Sequence, residues 1–307
     1  MMRVQENVPL APLTTFQIGG PARYLVEVTT KSDICEALEH ARTQGLPFYI
    51  LGGGSNILAA DKGFDGLVIR IVGGEVHIAG NELRVDAGCN LWETIQKASE
   101  SSLGGWEKLA GIPGTVGGAV RGNAGAFGTE IKDVVVSVKA LNTQTLKMMD
   151  FVNPSCEFVY RSSFFKTHPQ WIIASVQVRL AQVEIEKSLL SILETVAERE
   201  KRHLQNVRAA GSYFTNPVAA REIQELFEKE KNVPARGGRV PAGWLIEKVG
   251  MKGARVGDAE ASEQHPNYLK NTGHATAAQV LELARQIKDT VQREFGIMLT
   301  EEAALLE

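Results

Sequence analysis

No stretch of this 307-residue sequence reaches the roughly eighteen consecutive apolar residues that a bilayer-spanning helix requires. Its opening, MMRVQENVPLAPLTTF, holds no continuous apolar segment of the kind a secretory signal uses, so no export is expected. Cysteine is scarce. Cys35, Cys89 and Cys156 are odd in number and far apart, which speaks against a disulfide framework and fits free thiols in a reducing compartment. Charge of neither sign dominates: 33 Lys and Arg against 36 Asp and Glu leave a net charge of -3. No broad positive field therefore advertises nucleic acid or an anionic membrane as a partner. Neither HExxH nor CxxC spacing occurs, so no metal site is expected. What is left is the expectation of a cytoplasmic enzyme with no obligate protein partner evident.

The composition that is present is ordinary for a globular chain, 44% hydrophobic and 22% charged. The length suffices for one large domain or two to three smaller ones. RYLVEVT alternates as a strand, and KSDICEALEHARTQG sets Ile34, Ala37, Leu38 and Ala41 on one helical face with Gly45 as its terminator. LPFYIL and DGLVIRI read as further strands, giving a β-α-β unit of about 70 residues, an ordinary size for a small domain. EVHIAGNELRVDAG reads as a hairpin turning at Gly80-Asn81, followed by a helix capped by Asn90, with Glu93 at capping-box spacing and Leu91, Ile95 and Ala98 inward. Strands resume at DVVVSVKAL and WIIASVQVRL, and residues 184–207 read as one charged helix. Helices are expected again over 219–231 and 276–295. The second of these has Thr276 and Gln279 at capping-box spacing and a stripe of Val280, Ala284, Ile287, Val291 and Phe295.

Glycine is concentrated in two places. LGGGSNIL, residues 51–58, follows a buried strand, and in residues 105–128 eight of twenty-four positions are glycine. Glycine lets main-chain N–H groups approach an anion closely. The first loop matches neither GxxxxGK[ST] nor GxGxxG, which disfavours a nucleoside triphosphatase and an ordinary Rossmann fold. Alone it reads equally as a tight turn or a phosphate cradle. Two such clusters about sixty residues apart fit one extended ligand, such as a dinucleotide.

The motifs LTTFQIGGPA, LGGGSNIL, GIPGTVGGAVRGNAGAFG, YRSSFF, GSYFTNP and PAGWLIEKVGMKG, in this order over residues 10–302, resemble the UDP-N-acetylenolpyruvoylglucosamine reductase family, in its shorter type without an extra tyrosine-bearing loop. That resemblance implies an α+β chain. It would combine a two-subdomain FAD-binding fold of the vanillyl-alcohol oxidase and p-cresol methylhydroxylase type with a C-terminal α+β substrate domain. The implied division is 1–70 and 71–207 around FAD and 208–296 around substrate, with 297–307 a candidate to return to the first part. It further implies FAD as cofactor and NADPH as co-substrate. The reaction would convert UDP-N-acetylglucosamine enolpyruvate to UDP-N-acetylmuramate for peptidoglycan. No histidine lies between His40 and His77, so the flavin is expected to be non-covalent.

By the same resemblance Gly52, Gly53, Gly54, Ser55 and Asn56 hold the FAD pyrophosphate. Gly111, Thr115, Gly117, Gly118, Ala119, Asn123, Ala124 and Gly125 line the rest of the cofactor. Hydride reaches the enolpyruvyl C3, and charge builds on C2 and the adjacent carboxylate, so an electrophile and a proton donor are needed. Arg161, with a fixed charge and planar fork, suits the carboxylate. Ser212 matches the proton donor to C2, a role open to a serine only in a desolvated site. Glu302 matches the C-terminal glutamate, orienting Arg161 or acting as an acid, with Glu301 its neighbouring rival. Asn216, Lys252 and Tyr160 are expected at the substrate. His265 and His274 are expected to be structural or surface residues. Two positions depart from the family pattern: Thr215 stands where a lysine is usual, and Ala304 where an arginine is. They leave room for two other readings, a flavin oxidase of the same fold with another substrate and a non-catalytic FAD- or nucleotide-binding homologue.

Overall fold

The computed structural model describes residues 2–202 and 206–307. The chain forms two compact units interleaved in sequence. One comprises Met1–Val8, Ala22–Gly54 and Asp65–Lys201, the other Pro9–Pro21, Ser55–Phe64 and Arg202–Glu307.

The first unit holds two large sheets and two short two-stranded ones. Strands Gln5–Pro9, Pro21–Val28, Phe64–Ile71 and Phe48–Leu51 lie in that order, the last two parallel, with Ile50 opposite Ile69. Helix Lys31–Thr43 starts where Thr30 accepts from the Asp33 N–H and the Asp33 carboxylate takes the Thr30 N–H in return. It ends before Gly45, at φ +62°. Its buried Ile34, Ala37, Leu38 and Ala41 pack with Val26, Val28, Leu67 and Ile69. Each large aliphatic side chain buried this way contributes about 1.5–3 kcal/mol.

The second sheet is antiparallel, in the order Met148–Val152, Val135–Asn142, Trp171–Arg179, Glu82–Asp86 and Val76–Ala79, and its last pair is the expected hairpin. Helix Leu91–Glu100 carries Asn90 as its cap and buries Leu91, Ile95 and Ala98 against this sheet's core. The charged helix runs over Ile185–Lys201; residues 203–205 of the expected span lie outside the described residues. Cys35, Cys89 and Cys156 are free thiols, and burial pushes Cys156 up to about 11, far from a reactive thiolate.

The C-terminal unit is built on helix Ala277–Phe295. Thr276 and Gln279 cap it reciprocally, and Gly296, at φ +66°, ends it. Val280, Ala284, Ile287 and Val291 are buried, while Phe295 is half-buried against the same core. A three-stranded antiparallel sheet, Arg255–Val256, Ala259–Ala261 and Leu269–Asn271, belongs to this unit. Two segments expected with the N-terminal part are found here instead. Phe16, Ile18 and Leu58 are buried in this core, and the Asp61 carboxylate accepts from the N–H groups of Ala277 (2.7 Å) and Ala278 (2.9 Å). An acid at a helix N-terminus satisfies orphan donors and opposes the helix dipole. The C-terminal strand Ala304–Leu306 pairs in parallel with Ile57–Ala59, so Ala304 does not prevent the strand from forming.

Three α-helices escaped the sequence reading, one of them the single turn Phe164–Thr167. Val116–Arg121 lies inside the second glycine cluster, where Gly117 and Gly118 suppress helical propensity but Thr115 supplies a cap. Ala242–Lys248 follows Pro241 and buries Trp244, Leu245 and Ile246. Among the described residues no helix is long and apolar enough to cross a membrane.

His265 stacks edge-on to Tyr268 at 4.8 Å, and its Nδ1 is buried without a partner among the described residues. Burial holds its pKa below the ordinary 6.5. The unfolded chain therefore takes up this proton first as pH falls, so the stability His265 contributes is present above about pH 6.5 and is lost below it. Urea midpoints measured from pH 8 to pH 5 should fall less steeply for His265→Gln than for the parent. Equal slopes would remove His265 from the acid sensitivity.

Candidate active site

The two glycine clusters meet in the first unit, main chain against main chain. A Cβ on Gly53 would stand 2.6 Å from the Gly114 Cα, and one on Gly52 would stand 2.8 Å from the Thr115 Oγ1. Neither gap admits a side chain. Gly54 and Gly111 take φ +64° and +76°, conformations that favour glycine. Thr115 caps the short helix through its hydroxyl, which accepts from the Gly118 N–H at 3.2 Å, and Gly117 presses on Ala87, where a Cβ would come within 2.7 Å. The Ala119 N–H is committed to the Thr115 carbonyl and the Ala124 N–H to the Ala119 carbonyl. Asn123, fully buried at φ +44°, donates to the Val159 carbonyl at 2.9 Å and accepts from the Lys132 N–H at 3.3 Å. Its side chain therefore shapes the loop. Gly114 was not among the expected cofactor residues, although its place in IPGT between two other glycines is the signal that marks it.

Arg161 is held in the same unit. Val159 and Ser162 exchange main-chain hydrogen bonds across a tight turn, and Arg161 occupies it at φ +56°. Turns ordinarily give such a position to glycine or asparagine, and a side chain there costs on the order of 1 kcal/mol or more. The guanidinium donates from Nη2 to the Gly125 carbonyl at 2.9 Å and lies 5.2 Å from the centroid of the half-buried Tyr160 ring. Lys166 Nζ donates to the Arg161 carbonyl at 3.0 Å. The second glycine cluster thus orients the arginine directly, and a Cβ on Gly125 would come within 3.2 Å of Nη1.

Ser212 and Glu302 lie together in the C-terminal unit, on adjacent extended segments. Phe214 and Glu301 form an antiparallel bridge, the Glu302 N–H donates to the Tyr213 carbonyl at 2.7 Å, and the Thr215 N–H donates to the Thr300 carbonyl at 2.9 Å. Ser212 and Glu302 are both half-buried. Glu301, the rival carboxylate, pairs with Lys288 at 2.8 Å. Tyr213 is buried, and burial with the nearby Glu301 charge raises its pKa well above the ordinary phenol value, keeping it neutral.

Three comparisons bear on this geometry. Residues 22–145 match a model described as an FAD binding domain, and residues 202–306 match one described as the C-terminal domain of UDP-N-acetylenolpyruvoylglucosamine reductase. The enzyme of that name from Solibacter usitatus is 35% identical, over 98% of this chain and 96% of its own. The chain belongs to the UDP-N-acetylenolpyruvoylglucosamine reductase family. A second such enzyme from Symbiobacterium thermophilum is 37% identical over 99% of this chain and 92% of its own. The solved reductase of Thermus caldophilus is similar over 100% of both chains, with a TM-score of 0.80 at 33% identity.

The positions expected at the substrate of a UDP-N-acetylenolpyruvoylglucosamine reductase have varied surroundings. The Asn216 Oδ1 accepts from the Ala242 N–H at 3.0 Å, capping helix Ala242–Lys248 from outside, while its carbonyl accepts from Arg239 at 2.8 Å. Lys252 pairs with Glu247 at 3.2 Å. Thr215 turns its hydroxyl to the Thr300 carbonyl at 3.3 Å, so the residue standing for the usual lysine ties two segments together. A groove of about 480 Å³ in this unit, lined by Gly19, Gly20, Asp61, Arg208 and His274 among others, includes none of Ser212, Asn216, Lys252 or Glu302. Sequence reasoning missed Asn267. It is buried and bonds both ways to the Phe214 main chain, at 2.9 and 2.8 Å, and its carbonyl accepts from the Tyr213 N–H at 2.7 Å. It does for the Ser212 segment what a neighbouring strand would do.

Gly53→Ala should force the two loops apart while leaving both cores intact. The purified variant is expected to lose most of its visible flavin absorbance and to keep the parent's far-ultraviolet circular dichroism. Full flavin content would mean that the close approach is not required for cofactor binding.

Proposed function

We propose that this chain catalyses NADPH-dependent reduction of UDP-N-acetylglucosamine enolpyruvate to UDP-N-acetylmuramate, a step of peptidoglycan precursor synthesis, with non-covalent FAD as its redox group. The observation that carries the reading is the match along the whole chain, 98% of this sequence and 96% of a relative of that name. The loops fit the cofactor. Gly52, Gly53 and Gly54 offer main-chain N–H donors, and the approach of Gly53 to Gly114 keeps side chains away from them. Neutral donors are sufficient for a diphosphate, since each hydrogen bond to a charged group contributes about 1.5–3 kcal/mol. Ser55, Gly111, Thr115, Gly117, Gly118, Ala119, Asn123, Ala124 and Gly125 complete the cofactor's surroundings, several of them by shaping the loops. Residues 71–207 with most of 1–70 enclose FAD, and 208–296 bind substrate.

FAD held by these loops would supply the two-electron hydride chemistry between NADPH and the enolpyruvyl C3. The chain's own residues handle charge and protons. Arg161, pre-oriented by the Gly125 carbonyl and by its turn, stabilises the substrate carboxylate as negative charge develops. Ser212 delivers the proton to C2 from a half-buried hydroxyl. Glu302, on the adjacent segment, acts as a further acid on the Ser212 side of the site. Tyr160, Asn216 and Lys252 border the sugar and diphosphate. A nucleotide-sugar substrate and NADPH place the reaction in the cytoplasm.

Purified protein should be yellow and should oxidise NADPH only when the enolpyruvyl UDP-sugar is added. Rapid reoxidation by oxygen with no response to that sugar would favour an oxidase, and a colourless protein that FAD cannot reconstitute would overturn the flavoenzyme reading. Ser212→Ala should slow flavin reoxidation by substrate about a hundredfold or more, the scale of losing a general acid, and slow reduction by NADPH far less. Equal losses in the two half-reactions, followed by stopped-flow absorbance, would remove Ser212 as the proton donor.

A further inference from the structure

Glu302 sits near the C-terminus of the chain, beyond the last helix and two residues before the final strand. Its backbone is nevertheless fixed at both polar groups. The N–H donates to the Tyr213 carbonyl at 2.7 Å, next to Ser212. The carbonyl accepts from the side chain of Asn56 at 3.1 Å, and the Asn56 carbonyl in turn accepts from the Ala304 N–H at 3.0 Å. Asn56 therefore brackets Glu302 with two hydrogen bonds, one to that residue and one two positions on, where the parallel pairing of Ala304–Leu306 with Ile57–Ala59 begins. A strand would continue this pairing through main-chain groups. Here a carboxamide replaces the ladder for one step, which lets residue 302 leave strand register while staying anchored.

We infer that Asn56 is a positioning residue for Glu302. Its side chain holds the carboxylate-bearing segment, and its contribution to flavin binding is confined to the main chain. The inference rests on the proposed role of Glu302 and deepens it. Four contacts separate Glu302 from its neighbour in sequence. Glu301 is turned to Lys288 and bridged to Phe214, whereas Glu302 is held by Tyr213 on one side and Asn56 on the other. The carboxamide is specific chemistry: an aspartate of the same shape would set an acceptor against the Glu302 carbonyl in place of a donor.

The experiment compares Asn56→Asp, Asn56→Ala and Glu302→Gln holoenzymes, and the Asn56→Asp/Glu302→Gln double variant, in three measurements. These are flavin reoxidation by the enolpyruvyl UDP-sugar, the dissociation constant of FAD from apoprotein, and amide hydrogen exchange in the peptide spanning 299–306. Asn56→Asp is expected to slow substrate-driven reoxidation about tenfold, to weaken FAD less than threefold, and to speed exchange at Ala304. On the Glu302→Gln background it should slow reoxidation less than twofold further, because the carboxylate it positions is gone. Should Asn56→Asp fail to fold, Asn56→Ala carries the same comparison. A tenfold or greater loss of FAD affinity would assign the side chain to the flavin and overturn the inference, as would fully additive effects in the double variant. A Glu302→Gln enzyme with parental reoxidation would instead overturn the role proposed for Glu302, and the inference with it. A slow Glu302→Gln beside an unaffected Asn56→Asp and Asn56→Ala would overturn the inference alone.

Discussion

The approach of Gly53 to Gly114 is the constraint on which the two glycine-rich loops depend. At 2.6 Å from a would-be Cβ to the facing Cα, the two loops are as close as main chains can come without a side chain between them. Everything else in the cradle follows from keeping that gap closed. Thr115 caps the short helix that carries the second loop, Gly117 seats that helix on Ala87, and buried Asn123 pins the loop's far end to Val159. The same loop then reaches Arg161 through the Gly125 carbonyl. A single strip of glycine-rich backbone thus forms the close loop contact and orients Arg161, the residue proposed above to meet the substrate carboxylate.

A second economy appears in the C-terminal unit. The residues proposed for the substrate here come from extended segments with few strand partners of their own, and side-chain amides stand in for the missing partners. Asn267 pairs both ways with Phe214, Asn216 caps helix Ala242–Lys248, and Asn56 holds the carbonyl of Glu302. Such bonds fix one residue at a time, whereas a ladder fixes a run. That is the useful property where individual side chains must be aimed off strand register.

Much of this was legible in the sequence, and the residues show why. Helix Lys31–Thr43 announces itself through apolar spacing and a terminal glycine, and Ala277–Phe295 through apolar spacing and a capping box, all local signals. The glycine clusters were readable as close-approach loops. Their mutual contact was not, because it joins residues about sixty apart and depends on the fold. The short helix Val116–Arg121 was hidden by its own glycines. The placing of Phe16, Ile18, Leu58 and Asp61 with the C-terminal core was invisible for a similar reason: these residues read as part of an N-terminal β-α-β run, and only long-range partners such as the Ala277 N–H show otherwise. Arg161, Ser212 and Glu302 were named through motif resemblance. Nothing in the spacing of a lone arginine, serine and glutamate across 141 positions would have singled them out.

In the function proposed above, main-chain amides rather than basic side chains hold the diphosphate of the cofactor. An experimental structure of the FAD-bound protein tests it most directly. Diphosphate oxygens are expected within hydrogen-bond distance of N–H groups in Gly52–Gly54, with no lysine or arginine side chain in contact. A diphosphate held by a basic side chain, with those glycine amides directed elsewhere, would contradict it.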